Sequence, residues 1–266
     1  MEGMIAGKVA VITGAGSGAG RAAALLFTRH GAKVIAADLD PTWAEQTVSA
    51  IAAEGGSAYP ILCDVADEAA VARAVQVAVE RYGRLDIMYN NAGITLSPRP
   101  GAGLRRLVDT SQAEIERLLA VNVTGVINGC KVAIRQFEAQ GGGGVIVNTA
   151  SVSGLIGYGG SAYGSTKGAV VALTRTLALE VAAAGIRVNS VCPAGMPTHF
   201  AGMDPEGSHA EAIKSSMGKA HPLGRAIDPM DCANAALFLA SDLASNITGV
   251  NLPIDGGLTA GISIRR

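Results

Sequence analysis

One octapeptide constrains this chain more than any other feature: Thr13-Gly14-Ala15-Gly16-Ser17-Gly18-Ala19-Gly20 follows the apolar run Lys8–Ile12 and opens straight into the helical composition of Gly20–His30. Glycine lets the backbone turn with unusual φ, and a helix N-terminus offers unpaired N–H groups and the positive end of a dipole to an anion such as a pyrophosphate. Two spacings fit that use, G-x-G-x-x-A through Gly14, Gly16 and Ala19, and G-x-x-x-G-x-G through Gly14, Gly18 and Gly20. The next apolar run, Lys33–Asp38, ends in an acid where a carboxylate can accept hydrogen bonds from ribose hydroxyls. The same carboxylate repels a 2′-phosphate, and neither Ser17 nor Leu39 beside the nucleotide supplies a cation to offset it. The reading is NAD in preference to NADP.

Apolar runs and helical stretches alternate along the rest of the chain. Ala58–Leu62, Leu85–Tyr89, Val145–Asn148, Arg187–Val191 and Val250–Ile254 complete a set of seven strands, mostly without polar alternation, as strands covered on both faces require. Helices are predicted over Gly20–His30, Pro41–Glu54, Asp67–Tyr82, Ser111–Gln136, Ala162–Ala183 and Asp228–Ser241. Pro41 behind Asp40 and the acidic pair Asp67-Glu68 are start signals. The fold class is α/β: a Rossmann-type, doubly wound, seven-stranded parallel sheet flanked by helices, as a single domain over residues 1–266.

Bulk chemistry excludes several other classes. Glycine at 35 of 266 residues is roughly twice the usual share, but without the collagen period. A net charge of -1 leaves no electrostatic footprint for nucleic acid. Cys63, Cys130, Cys192 and Cys232 are scattered and read as buried free thiols, with no metal site. No basic leader precedes an apolar stretch in Met1–Lys8, and the apolar runs fall short of a membrane span, so the expected location is cytoplasmic.

Ligands of such sheets bind at the carboxyl ends of strands, and those ends are polar here: Asp64-Val65, Asn90-Asn91-Ala92-Gly93, Thr149-Ala150-Ser151 and Pro193-Ala194-Gly195. Twelve residues after Ser151, Tyr163 and Lys167 share one helical face at i and i+4. Taken together, these motifs resemble the short-chain dehydrogenase/reductase family, in its branch of about 250 residues, over essentially the whole sequence. The resemblance rests on Thr13-Gly14-x-x-x-Gly18-x-Gly20, Asp64, Asn90-Asn-Ala-Gly93, Asn122, Ser151, Tyr163-x-x-x-Lys167 and Asn189-x-x-x-Pro193.

What the resemblance implies is a hydride and proton exchange between a carbinol and a nicotinamide. Tyr163 would be the general acid/base, and Lys167 would lower its pKa and bind the nicotinamide ribose. Ser151 would donate to the substrate oxygen. Asn122, an amide inside a helix that the family kinks, would hold a water relaying protons from Lys167. Asp64 and Val65 would flank the adenine, Asn91, Ala92 and Gly93 would line the nucleoside, and Thr198 would reach the carboxamide. Pro193-Ala194-Gly195 departs from the family's usual Pro-Gly, which displaces a backbone contact by one residue, and Ala150 stands where many relatives carry a second serine.

Residues 195–222, with Met196, His199, Phe200, Met203, His209, Met217 and His221, read as an irregular substrate lid, and Ile94–Gly103 as the opposite rim. Few charges point toward the site, which favours a small neutral alcohol or ketone. The resemblance further implies a homotetramer, to which the tail ending at Arg266 can contribute. The competing functions are a 3-oxoacyl-carrier-protein reductase, disfavoured by Asp38, and a nucleotide-sensing regulator, disfavoured by an intact Ser151, Tyr163 and Lys167.

Overall fold

The computed structural model describes residues 3–96, 105–201, 207–208 and 210–261. Every predicted strand forms: β1 (Val9–Thr13), β2 (Lys33–Asp38), β3 (Ser57–Leu62), β4 (Ile87–Asn90), β5 (Gly144–Thr149), β6 (Ile186–Pro193) and β7 (Asn251–Ile254). They make one sheet in the order β3-β2-β1-β4-β5-β6-β7, with every pair parallel. The chain moves outward one way from β1 and returns to continue the other way from β4. That reversal opens a crevice between the carboxyl ends of β1 and β4, where the switch-point rule places ligands.

Burial explains the strand composition. All five residues of β1 are buried, Val9 and Val11 toward one helical layer and Ala10 and Ile12 toward the other. The two outer strands are less covered, and each carries a proline, Pro60 in β3 and Pro253 in β7. A proline has no N–H to give a ladder, which is why it is tolerated at a sheet edge.

The helix α1 (Gly18–Arg29) begins at Gly18, ahead of the predicted Gly20, and α2 (Pro41–Ala53) and α3 (Glu68–Tyr82) start where their signals predict. Asp40 accepts from Thr42 and Trp43 N–H at 2.9 and 3.2 Å, and Asp67 caps Ala69. The stretch predicted as one helix over Ser111–Gln136 is interrupted: α4 (Gln112–Leu119) and α5 (Gly125–Gln140) are joined by a π-helical turn, Ala120–Thr124. The extra residue of that turn aims Asn122 inward, fully buried. By length and composition alone the continuous helix Gln112–Gln140 could cross a bilayer, but half of its apolar window is buried inside the fold. It behaves as a core helix.

The helices α6 (Ser161–Glu180), α7 (Ala210–Gly218) and α8 (Pro229–Ala240) complete the layers. Residues 195–222, expected to be irregular, contain the short turn His199–Ala201 and the whole of α7. Met203, His209, the rim residues 97–103 and the tail after Gly261 lie outside the described residues. All four cysteines are buried free thiols.

Candidate active site

The glycine loop turns out of β1 with left-handed φ at Gly14 (+64°) and Gly18 (+50°). Ser17 precedes α1 in an extended conformation and makes no side-chain cap bond. The helical ladder begins only with Arg21 N–H to Ser17 C=O, so Gly18, Ala19 and Gly20 sit among the amides a helix leaves unpaired at its start. Gly16 is required by close approach: a Cβ there would lie 2.9 Å from Asp38 Oδ2 and 2.6 Å from the Cβ of Trp43.

Asp38 is locked in place. Its Oδ2 accepts from Gly16 N–H at 2.8 Å and its Oδ1 from Asp40 N–H at 3.0 Å. Each oxygen keeps a lone pair that these bonds do not use. Next to it Leu39 is 65% exposed, and its neighbour in the rim, Leu62, is 60% exposed on β3, paired in register with Asp38. Asp64 closes this end, accepting from Ala66 N–H at 2.9 Å, while Val65 is buried beside it.

Across the crevice, Asn91 spends its side chain on the loop itself. Its amide donates to Thr13 C=O at 3.0 Å and Gly14 C=O at 3.3 Å, and Thr13 Oγ1 accepts from Asn91 and Ala92 N–H. Thr47, fully buried on α2, donates to Ala15 C=O at 3.0 Å. Asn91 thus braces the β1 turn, and its Oδ1 accepts from Thr149 Oγ1 at 3.3 Å. Nothing in the local sequence marks these bracing roles of Thr13 and Thr47, because their partners are 78 and 32 residues away.

The predicted catalytic residues converge. Lys167 is 2% exposed and its Nζ donates to Thr149 C=O at 2.7 Å; a Cβ on Gly93 would lie 3.5 Å from that Nζ. Burial pulls the ammonium down to about 8. Half-buried Tyr163 shares its hydrogen bond with Ser151, which only partly offsets the burial that pushes the phenol above its ordinary value. Its ring stands edge-on to Phe200, centroids 5.9 Å apart, with Lys167 Nζ 5.8 Å from the ring centroid. Ser151 Oγ has two further acceptors in reach of its single proton, Ser153 Oγ at 3.2 Å and Pro193 C=O at 3.3 Å.

Asn122 clamps one residue at both ends. Its Oδ1 accepts from Ile94 N–H at 2.8 Å and its Nδ2 donates to Ile94 C=O at 2.9 Å, with a further bond to Thr166 Oγ1 at 3.2 Å. The side chain is therefore committed to the segment after β4, and any water held there would meet the backbone of the π-turn. Thr198, 5% exposed, lies over Gly18, and Gly195 faces Tyr158 OH and Met217. The Pro193 carbonyl is already taken by Ser151.

Comparison with known proteins gives whole-length relatives of this chain. The family model described as enoyl-(acyl carrier protein) reductase matches residues 14–259. Secoisolariciresinol dehydrogenase of Forsythia intermedia is 44% identical over 95% of this chain and 89% of that protein. Meso-2,3-butanediol dehydrogenase of Serratia marcescens is 40% identical over 95% of each. The crystal structure of 3-ketoacyl-(acyl-carrier-protein) reductase from Brucella melitensis, complexed with NADH, superposes with a TM-score of 0.85 at 36% identity, covering 96% of this chain and 99% of that one. The residues present fit a nicotinamide dinucleotide: left-handed glycine turns at Gly14 and Gly18, unpaired amides at the start of α1 and a braced carboxylate at Asp38 lie along one crevice.

Proposed function

The chain belongs to the short-chain dehydrogenase/reductase family, and from that premise we propose that it interconverts a secondary alcohol and a ketone with NAD as cofactor. The observation that carries the reading is the approach of Ser151 to Tyr163 and of Lys167 to both the Tyr163 ring and Gly93, in a crevice that also holds Asp38.

The cofactor supplies the hydride acceptor and donor. The chain's own residues do the rest. Gly14, Gly16, Ser17, Gly18, Ala19 and Gly20 hold the pyrophosphate, Asp38 takes the adenosine ribose hydroxyls, and Leu39, Asp64 and Val65 border the adenine. Ala92 and Gly93 line the nucleoside by their backbones, with Asn91 keeping the turn beneath them in shape. Pro193, Gly195 and Thr198 face the nicotinamide side.

Ser151 Oγ donates to the substrate oxygen, and Tyr163 Oη takes the carbinol proton during oxidation and returns it during reduction. Burial holds this phenol protonated in the free protein, and the Lys167 ammonium, beside the positive charge of an oxidised nicotinamide, favours the phenolate once the cofactor is in place. Asn122 fixes the π-turn whose backbone would hold the relay water next to Lys167. The substrate is a small neutral alcohol or ketone, covered by the 195–222 segment, and the working assembly is a cytoplasmic homotetramer.

Reduction of an acyl-carrier substrate is the second reading, favoured by the family model's description and by the Brucella neighbour. That neighbour carries NADH, so the cofactor alone does not separate the two readings. A panel of secondary alcohols, polyols and hydroxysteroids assayed with NAD, beside 3-oxoacyl thioesters assayed with NADH, decides between them. Turnover confined to the thioesters would replace the first reading with the second.

A further inference from the structure

Three consecutive residues after β6 reach three separate parts of the crevice. Thr198 lies over Gly18, at 3.6 Å from the position of a Cβ there. The His199 ring meets Trp43 with centroids 5.6 Å apart and planes at 34°, and Phe200 meets Tyr163. Trp43 belongs to the first turn of α2, which leaves the end of β2, and β2 and β6 are separated in the sheet by β1, β4 and β5. Four strand spacings amount to about 19 Å. A contact between the segment after β6 and α2 therefore has to cross the ends of β1 and β4, over the start of α1.

We propose that Trp43 and His199 form an aromatic clamp that closes over the adenosine half of the bound dinucleotide. This rests on the cofactor reading above and adds to it two residues outside the motif. Trp43 is built into that end of the site. Asp40 caps its N–H, and its Cβ, the Gly16 backbone and the Asp38 carboxylate meet at one point. The indole is still 38% exposed, and His199 is exposed too, so neither ring is held by core packing. A ligand lying from Asp38 along the glycine loop toward Tyr163 passes beneath the pair, and an aromatic pair stacked on it adds contact area at the mouth.

Trp43 is the one tryptophan of the chain, so its emission reads the clamp directly. Titration of the wild-type protein with ADP-ribose should change that emission, whereas nicotinamide mononucleotide should leave it nearly unchanged. By calorimetry, Trp43→Ala and His199→Ala should each weaken ADP-ribose roughly 3- to 10-fold, with Trp43→Phe retaining most of the affinity and nicotinamide mononucleotide unaffected. Matching thermal unfolding of the ligand-free variants and wild type assigns the change to the site. Wild-type binding of ADP-ribose that ignores both alanine substitutions overturns the clamp alone. Failure of the wild type to bind ADP-ribose, NAD or NADP overturns the cofactor reading and the clamp together.

Discussion

The Asp38 carboxylate accepts the Gly16 amide at 2.8 Å, so the residue proposed to select the cofactor also shapes the loop that holds it. A 2′-phosphate would have to sit against a charge that cannot swing away, because the other oxygen is tied to Asp40 N–H. NAD should raise the melting temperature more than NADP at equal concentration, and Asp38→Ala should narrow that gap. The same variant loses two charge-assisted hydrogen bonds, at a cost of about 1–3 kcal/mol in the free protein. Equal stabilisation of the wild type by both cofactors would show that Asp38 does not choose.

Tyr163→Phe removes the proton carrier while keeping the ring against Phe200. Turnover should fall at least 10³-fold, an order of magnitude drawn from general acid–base catalysis, with dinucleotide affinity within about 2-fold. Since burial pushes the phenol up, the wild-type minus Tyr163→Phe ultraviolet difference spectrum of the ligand-free protein should contain no phenolate signal below pH ~10. A phenolate already present at neutral pH without cofactor would contradict this.

Lys167 gives a pH dependence of definite sign. Its ammonium titrates at about 8 in the folded protein against 10.5 for an unburied lysine, so between these values the unfolded chain binds more protons and stability rises with pH. At neutral pH the buried charge costs up to about 3 kcal/mol. Lys167→Met should therefore be inactive yet more resistant to urea at pH 7, with its advantage shrinking from pH 8 to 10. A variant less stable than wild type at pH 7 would refute the burial argument.

Asn122→Leu has similar volume but strands both polar groups of the Ile94 peptide that the amide clamps. A loss of about 1–3 kcal/mol in urea unfolding is expected, with a lower kcat, because two part-buried backbone groups lose their partners. Asn122→Asp should recover only the Ile94 N–H contact and fall between the two. A fully stable leucine variant would mean that water replaces the clamp.

Gel filtration should give a species of about four times the 26.8 kDa chain. Elution at the chain mass itself would exclude the homotetramer.

Legibility of the fold followed the range of the forces involved. Strands buried on both faces announce themselves as apolar runs, and α2 and α3 begin at Asp40 and Asp67 because caps act within three residues. The glycine loop was equally local. The resemblance implies a kink at Asn122, but its π-helical form depends on a distant partner, Ile94, 28 residues away, as the orientation of Asn91 depends on Thr13 and Gly14. In residues 195–222 the Gly and Pro boundaries suggested irregular chain, yet α7 forms between them. His199 and Trp43 carry no motif at all, and only the topology brings them face to face.

Pro60 and Pro253 occupy opposite borders of the sheet. A foreign strand seeking to extend either border would find one donor missing from the row it needs. The sheet is thereby terminated by its own covalent chemistry on both flanks. Copies of this chain can in this way meet at high concentration without fusing edge to edge.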